Sequence, residues 1–117
     1  LAVMSKFDEA LETYKAEMTK IGITGINDAL LTGVTKALGP SIYNTDSSLV
    51  SSSDQEELNR VKNNFLIKKL GLADGPDLDK AIKEVVDKFG SANRNKHRAV
   101  FYYLLAQKFG KESQFIS

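Results

Sequence analysis

The chain shows helical spacing of its hydrophobic positions almost throughout, and each apolar stripe ends at the same kind of stop. A lysine, an apolar residue and a glycine come in succession at 20–22, 69–71, 88–90 and 108–110, with one extra residue at 36–39. Glycine just past a helix adopts the left-handed conformation freely, and a lysine in the last turn faces the negative end of the helix dipole. Five such stops predict five helices.

The starts agree with the stops. Capping boxes are indicated at two predicted starts, by Ser5 with Asp8 and by Ser53 with Glu56. Thr24 or Asn27 can cap the second helix. The proline after Gly75 is typical of the first position of a helix. The predicted main helices cover about 5–21, 27–38, 53–70, 76–89 and 93–109. Alternation typical of strands is nearly absent, so the predicted fold class is all-α, a single multihelical orthogonal domain over 1–117.

The last helix is apolar almost all round between Ala99 and Ala106, and we expect it to be the most buried. Gly33 lies inside the second helix, where close packing against another helix would justify it. For residues 40–53 we predict a loop with one short helix near Asp46–Val50. Four apolar side chains of this segment are expected to pack against the rest of the fold: Ile42, Tyr43, Leu49 and Val50. Residues 1–4 are expected to fray, while 113–117 either fray or dock through Phe115 and Ile116.

Composition narrows the possible functions. With no cysteine and one histidine, the chain cannot build thiolate sites, and no phosphate-binding glycine motif occurs. We predict no metal and no cofactor, and we expect His97 to be structural because no catalytic motif surrounds it. The longest apolar run is too short to cross a bilayer, which takes about 20 residues. No secretory signal pattern is visible, so the expected location is the cytoplasm.

Charge gives the one functional clue. Residues 1–57 carry a net charge of −5 and residues 58–117 carry +6. Arg94, Lys96, His97 and Arg98 stand at the predicted start of the last helix, where the dipole disfavours cations by up to about 1 kcal/mol each. Either a bound anion compensates, or the arginines pair with carboxylates in the fold, with Asp54, Glu56 and Glu57 as candidates. The candidate anion-binding set is Arg94, Lys96, Arg98, Lys68 and Lys69.

Three blocks carry a resemblance: GPSIYN at 39–44, NNFLIKKLG at 63–71 and NRNKHRAVFYYLL at 93–105. Together they resemble a family of small bacterial proteins of unknown function, over nearly the whole chain from Met4 to Phe115. The resemblance implies a compact all-helical cytosolic domain and carries over no catalytic residue.

Three functional hypotheses remain from the sequence. The first is a non-enzymatic protein-interaction module, with an unidentified protein partner or a second copy contacting Tyr43 and Asn44. The second is an anion or nucleic-acid binder that uses the basic set. The third is an enzyme with an unrecognised carboxylate pair, since acid–base pairing depends on distances that spacing does not fix.

Overall fold

The computed structural model describes residues 5–90 and 92–116, which form six helices. Five are long and one is a single turn, so the all-helical fold class is confirmed. The helices are α1 (Lys6–Lys20), α2 (Asp28–Leu38), α3 (Thr45–Ser48), α4 (Gln55–Arg60 continuing through Val61–Lys69), α5 (Pro76–Phe89) and α6 (Arg98–Lys108). Short 3-10 turns occupy Gly39–Tyr43 and Glu112–Gln114. Within the described residues, no helix is long and apolar enough to cross a membrane.

The helix ends largely follow the sequence signals. Ser5 caps α1 by accepting a hydrogen bond from the Asp8 amide at 3.1 Å. Asn27, and not Thr24, caps α2. The predicted cap of α4 is wrong by one residue, because Asp54 rather than Ser53 accepts from the Glu56 amide at 3.0 Å. A carboxylate at this position serves both the free amide and the helix dipole. The glycines of all five stops have positive φ, at 22, 39, 71, 90 and 110.

The core is built around α6, as predicted. Six of its eleven residues are buried, and they contact the apolar faces of the other long helices. The Tyr103 hydroxyl is also inside, where it accepts from the Asn27 amide at 2.9 Å and from the Gln107 side chain at 3.1 Å. A buried hydroxyl needs such partners, since leaving it unpaired would cost about 1–3 kcal/mol. The start of α2 is thereby tied to the middle of α6.

The second half of α4 departs from the predicted α-helix. Val61–Lys69 is wound as a π-helix, and the Leu70 amide donates to the Phe65 carbonyl at 2.9 Å, five residues back. The wider turn brings residues five apart onto one face. Two such pairs are buried here, Val61 with Leu66 and Phe65 with Leu70. These pairs fit the five-residue spacing of a π-helix. That spacing is too close to the three- and four-residue spacing of an α-helix to be recognised in the sequence.

The predicted start of α6 at Asn93 is also wrong, because the helix begins at Arg98. The Asn93 side chain accepts from the Asn95 amide at 2.8 Å, a local bond that competes with helix formation. Downstream, the Lys96 carbonyl accepts from the Val50 amide at 2.8 Å, and an antiparallel bridge joins Leu49 to His97. The chain just before α6 is therefore an irregular segment held beside residues 49–50.

The segment from 39 to 53 packs less completely than predicted. Ile42 and Val50 are buried and Leu49 is partly buried, but Tyr43 remains 50% exposed. The short helix occupies Thr45–Ser48, slightly before its predicted place.

The carboxyl-terminal segment docks on α2. A Cβ at Gly33 would lie 2.9 Å from the carbonyl carbon of Phe115, and closer still to its oxygen. Gly33 does make a close contact, but the predicted helix–helix packing is wrong, because its neighbour is the tail rather than another helix. Of the ends expected to fray, residues 1–4 and 117 lie outside the described residues.

A pocket beside an internally paired arginine

The five candidate cations separate into three environments. Arg98 lies in a partly buried network, Arg94 and Lys96 line a pocket, and Lys68 and Lys69 lie near the end of α4. The sequence hypothesis needed them on one surface. The structure instead places the three groups in separate surroundings.

Arg98 is neutralised within the fold. Its guanidinium forms an ion pair with Glu57, whose side chain is 11% exposed, while that of Arg98 is 16% exposed. It also donates to the Ser47 carbonyl at 2.7 Å, the Leu49 carbonyl at 3.3 Å and the Tyr102 hydroxyl at 3.2 Å. A cation at a helix N-terminus is unfavourable, and Glu57 offsets that cost. Arg98 therefore joins α3, α4 and α6 and has little capacity left for a ligand.

Glu57 receives a second arginine. Arg60 Nη2 lies 2.8 Å from the carboxylate, but the Arg60 side chain is 55% exposed. Burial by itself would raise the pKa of Glu57, and the hydrogen bonds and charges of Arg60 and Arg98 outweigh it, so that pKa is lowered. The carboxylate stays ionised at neutral pH, and of the three acidic candidates it is Glu57 that pairs with Arg98.

Arg94 and Lys96 line a pocket of about 770 Å³ between two irregular segments. One wall is made by the end of α3 and the loop after it, and the other by the chain before α6. The polar lining consists of Asp46, Ser51, Ser52, Ser53, Asn93, Arg94 and Lys96. Its volume is within the range typical of ligand pockets, about 300–1,000 Å³. From the sequence, Asp46 is expected in the short helix and Ser53 as a helix cap, because no spacing marks them as neighbours of residues 93–96.

The two pocket cations differ in their surroundings. Arg94 is exposed, and its side chain makes no hydrogen bond or ion pair with any described residue. Lys96 is only 2% exposed, and its ammonium donates to the Asn93 carbonyl. Burial disfavours the charged form and lowers the pKa of Lys96. An anion in the pocket would meet the free donors of Arg94 directly and would favour the ammonium of Lys96.

Lys68 and Lys69 do not join this pocket. Lys69 lies 5.7 Å from the ring centroid of Phe115, in a cation–π geometry. It lines a separate, smaller pocket of about 230 Å³ whose walls are mainly apolar and include Phe65 and Tyr102. Tyr102, one turn after Arg98 on α6, stacks on Phe65 with ring centroids 3.9 Å apart. The continuous basic stripe needed for nucleic acid is not formed by these residues.

His97 takes the N-cap position of α6 without capping it through its side chain. Its Nδ1 is buried and lacks a hydrogen-bond partner among the described residues, and its ring centroid lies 5.3 Å from that of Tyr14. Burial lowers the pKa of His97, although the charge of Glu17 acts in the opposite direction. The imidazole does not line the pocket, and its lowered pKa favours the neutral ring at neutral pH.

The candidate partner residues have unequal roles. Tyr43 exposes half of its surface, more than any other large hydrophobic residue described. Asn44 caps α3, since its side-chain oxygen accepts from the Asp46 amide at 2.9 Å. Asn44 thus has a structural role, and it also orients the helix that carries Asp46 to the pocket.

Fold and site together define a small all-helical protein with a polar pocket beside a buried ion pair, and the described residues contain no group of three potential metal ligands. A comparison with protein-family models matches residues 13–113 to DUF2853, described as a protein of unknown function. The chain belongs to this family. No curated protein matches it.

Proposed function

We propose that the protein is a non-enzymatic binding module, and that it binds an anionic ligand in the pocket between residues 46–53 and 92–96. The observation that carries the proposal is the position of Arg94, an exposed guanidinium with unused donors in the lining of this pocket. Arginine presents planar paired donors that suit carboxylate and phosphate groups. The neighbouring cation, Lys96, adds to the positive potential.

The lining favours binding over catalysis. Among the described lining residues the single carboxylate is Asp46, and no histidine is present, so the lining offers no carboxylate pair for acid–base catalysis. The histidine lies elsewhere, in contact with Tyr14. These features support a module that recognises a ligand and leaves it chemically unchanged.

The proposal is tested by titrating inorganic phosphate and sulfate into the protein by calorimetry at low salt. We expect binding on the order of millimolar, weakened about tenfold or more by Arg94→Gln, since a charge-assisted hydrogen bond contributes about 1.5–3 kcal/mol. Lys68→Gln is the matched control, because Lys68 is exposed and lies outside the pocket. Absence of binding, or equal losses in the two variants, would contradict the proposal.

A protein-interaction module remains the second candidate, and the exposed ring of Tyr43 favours it. A stable interface usually buries about 800 Å² on each partner. Among the described residues only Tyr43 and Ile116 are large exposed hydrophobics. We therefore rank this hypothesis below the pocket. Light scattering across a hundredfold concentration range tests for a homodimer: a dimer that Tyr43→Ser dissociates would support it.

A further inference from the structure

We propose that the ligand is the phosphate monoester of a small polyhydroxylated molecule, of the sugar-phosphate class. Its phosphate would be held at Arg94 and Lys96, and its hydroxyls at Asp46 and the adjacent serines. This inference rests on the anion-binding function proposed above and specifies the chemistry of the rest of the ligand. It follows from the pocket's size, from the placement of one acid among its polar groups and from the character of its lining.

The pocket has space beyond that which an anion would fill. A pocket of about 770 Å³ is far larger than one phosphate group, and it continues from the residues before α6 to α3. The two cations belong to one wall, at 94 and 96, whereas the opposite wall is formed by residues 46 and 49–53. A phosphate at the basic wall would leave most of the pocket for the body of the ligand.

The opposite wall supplies groups that suit hydroxyls. The carboxylate of Asp46 accepts no hydrogen bond and forms no ion pair within the described part of the chain, although its own amide is engaged by Asn44. A carboxylate is an acceptor only, so it binds a hydroxyl and repels a second anion. Ser51, Ser52 and Ser53 can both donate and accept, as sugar hydroxyls require. The wall therefore fits a neutral, hydroxyl-rich body.

The lining also argues against nucleotides and nucleic acids. Its apolar members are Leu49, Val50 and Ala92, and no aromatic side chain is among them. Bases are usually held by stacking on aromatic or arginine planes, a contact worth about 1–3 kcal/mol per base. Arg94 is the one planar cation in the lining, and the proposal uses it for the phosphate. A compact sugar meets the pocket's polar groups without needing a stacking surface.

The test compares four probes by calorimetry under the same conditions: inorganic phosphate, glucose, glucose 6-phosphate and adenosine monophosphate. For the unchanged protein we expect glucose 6-phosphate to bind about tenfold or more tightly than phosphate, which corresponds to one or two additional hydrogen bonds. Glucose alone should bind weakly, because it lacks the group that Arg94 recognises. Adenosine monophosphate should not exceed glucose 6-phosphate.

Two variants separate the ends of the ligand. Arg94→Gln should weaken phosphate and glucose 6-phosphate alike, by about tenfold or more. Asp46→Asn should weaken glucose 6-phosphate several-fold and yet leave phosphate binding unchanged or tighter, because it removes a negative charge that faces the anion. Both residues are exposed, so unfolding midpoints close to that of the unchanged protein are expected and serve as the folding control.

The outcomes distinguish this inference from the proposal on which it rests. Equal affinity for phosphate and glucose 6-phosphate would overturn the sugar-phosphate assignment and leave the anion pocket standing. Tighter binding of adenosine monophosphate would overturn it in favour of a nucleotide. Failure of every phosphate-bearing probe to bind at low salt would overturn both. Parallel losses of phosphate and glucose 6-phosphate in Asp46→Asn would show that Asp46 does not recognise the sugar.

Discussion

Replacing Arg98 by methionine should destabilise the protein strongly, whereas the same change at Arg60 should have little effect. Both arginines contact the carboxylate of Glu57, so the two variants differ mainly in burial. The Arg98 side chain is 16% exposed and the Arg60 side chain is 55% exposed. The pair therefore offers an internal comparison on one shared partner.

The magnitude follows from what each substitution leaves behind. After Arg98→Met, the Glu57 carboxylate, whose side chain is 11% exposed, would have only the exposed Arg60 as an ion-pair partner. The substitution would also remove the hydrogen bonds that Arg98 donates to the Ser47 and Leu49 carbonyls. Removing one partner of a buried ion pair costs about 3–5 kcal/mol. Arg60→Met breaks a largely solvated pair, and such pairs contribute about 0–1 kcal/mol. The expected difference between the variants is about 3 kcal/mol, a large part of the stability of a small domain.

Urea unfolding, followed by circular dichroism, measures both losses, with the slope m checked for constancy. A double-mutant cycle with Glu57→Gln isolates the coupling, and Arg98→Met combined with Glu57→Gln should lose much less than the sum of the single losses. The pKa of Glu57 is lowered in the folded protein, so its contribution is present above its ordinary value of 4.5 and is lost as pH falls through the folded value. Equal losses for Arg98→Met and Arg60→Met, or no coupling to Glu57, would refute the reasoning.

Three further predictions concern local structure. Gly33→Ala should destabilise the protein, because the added Cβ would overlap the Phe115 backbone. In a chain lacking residues 113–117 the same change should stabilise by up to about 1 kcal/mol, the gain in helix propensity. A full chain that urea unfolding shows to be stabilised by Gly33→Ala would contradict this. Burial lowers the pKa of His97, so the unfolded chain takes up the proton first and stability falls as pH drops below about 6.5. His97→Phe should show a smaller fall between pH 7.5 and 5.5, and parallel pH curves would exclude the effect. Asp54→Ala should cost about 1 kcal/mol and Ser53→Ala well under 0.5 kcal/mol, because Asp54 supplies the cap; the reverse order in urea midpoints would reject that assignment.

Most of the fold could be predicted because its signals are local. The helix stops depend on a glycine and its immediate neighbours, and the apolar face of each helix repeats within a few residues. The burial of α6 followed from its own composition, and Ala99, Phe101 and Leu105 are indeed inside. Two of the errors occurred where local signals competed. At Ser53 and Asp54 either side chain could cap, and at Asn93 an asparagine turn competed with helix formation.

The candidate site was harder to predict because its groups meet across the chain. Arg98 and Glu57 are 41 residues apart, and the sequence offered Glu57 as one of three possible carboxylates. Asp46 and Arg94 line one pocket where the Val50 amide donates to the Lys96 carbonyl and holds their two segments together. Neither the charge pattern nor the hydrophobic spacing encodes such a long-range register. The resemblance to the family added the fold and no role for these residues.

The late start of α6 gives the two arginines their different roles. Had the helix begun at Asn93, Arg94 and Arg98 would lie one turn apart on the same face and repel each other mildly. Instead, the asparagine turn and the bridge from Leu49 to His97 keep residues 93–97 out of the helix. Arg98 then stands in the first turn, where Glu57 and the carbonyls of Ser47 and Leu49 can reach it. Arg94 is left on the irregular segment, at the pocket and away from that carboxylate. The same interruption that secures one arginine for the fold leaves the other available for a ligand.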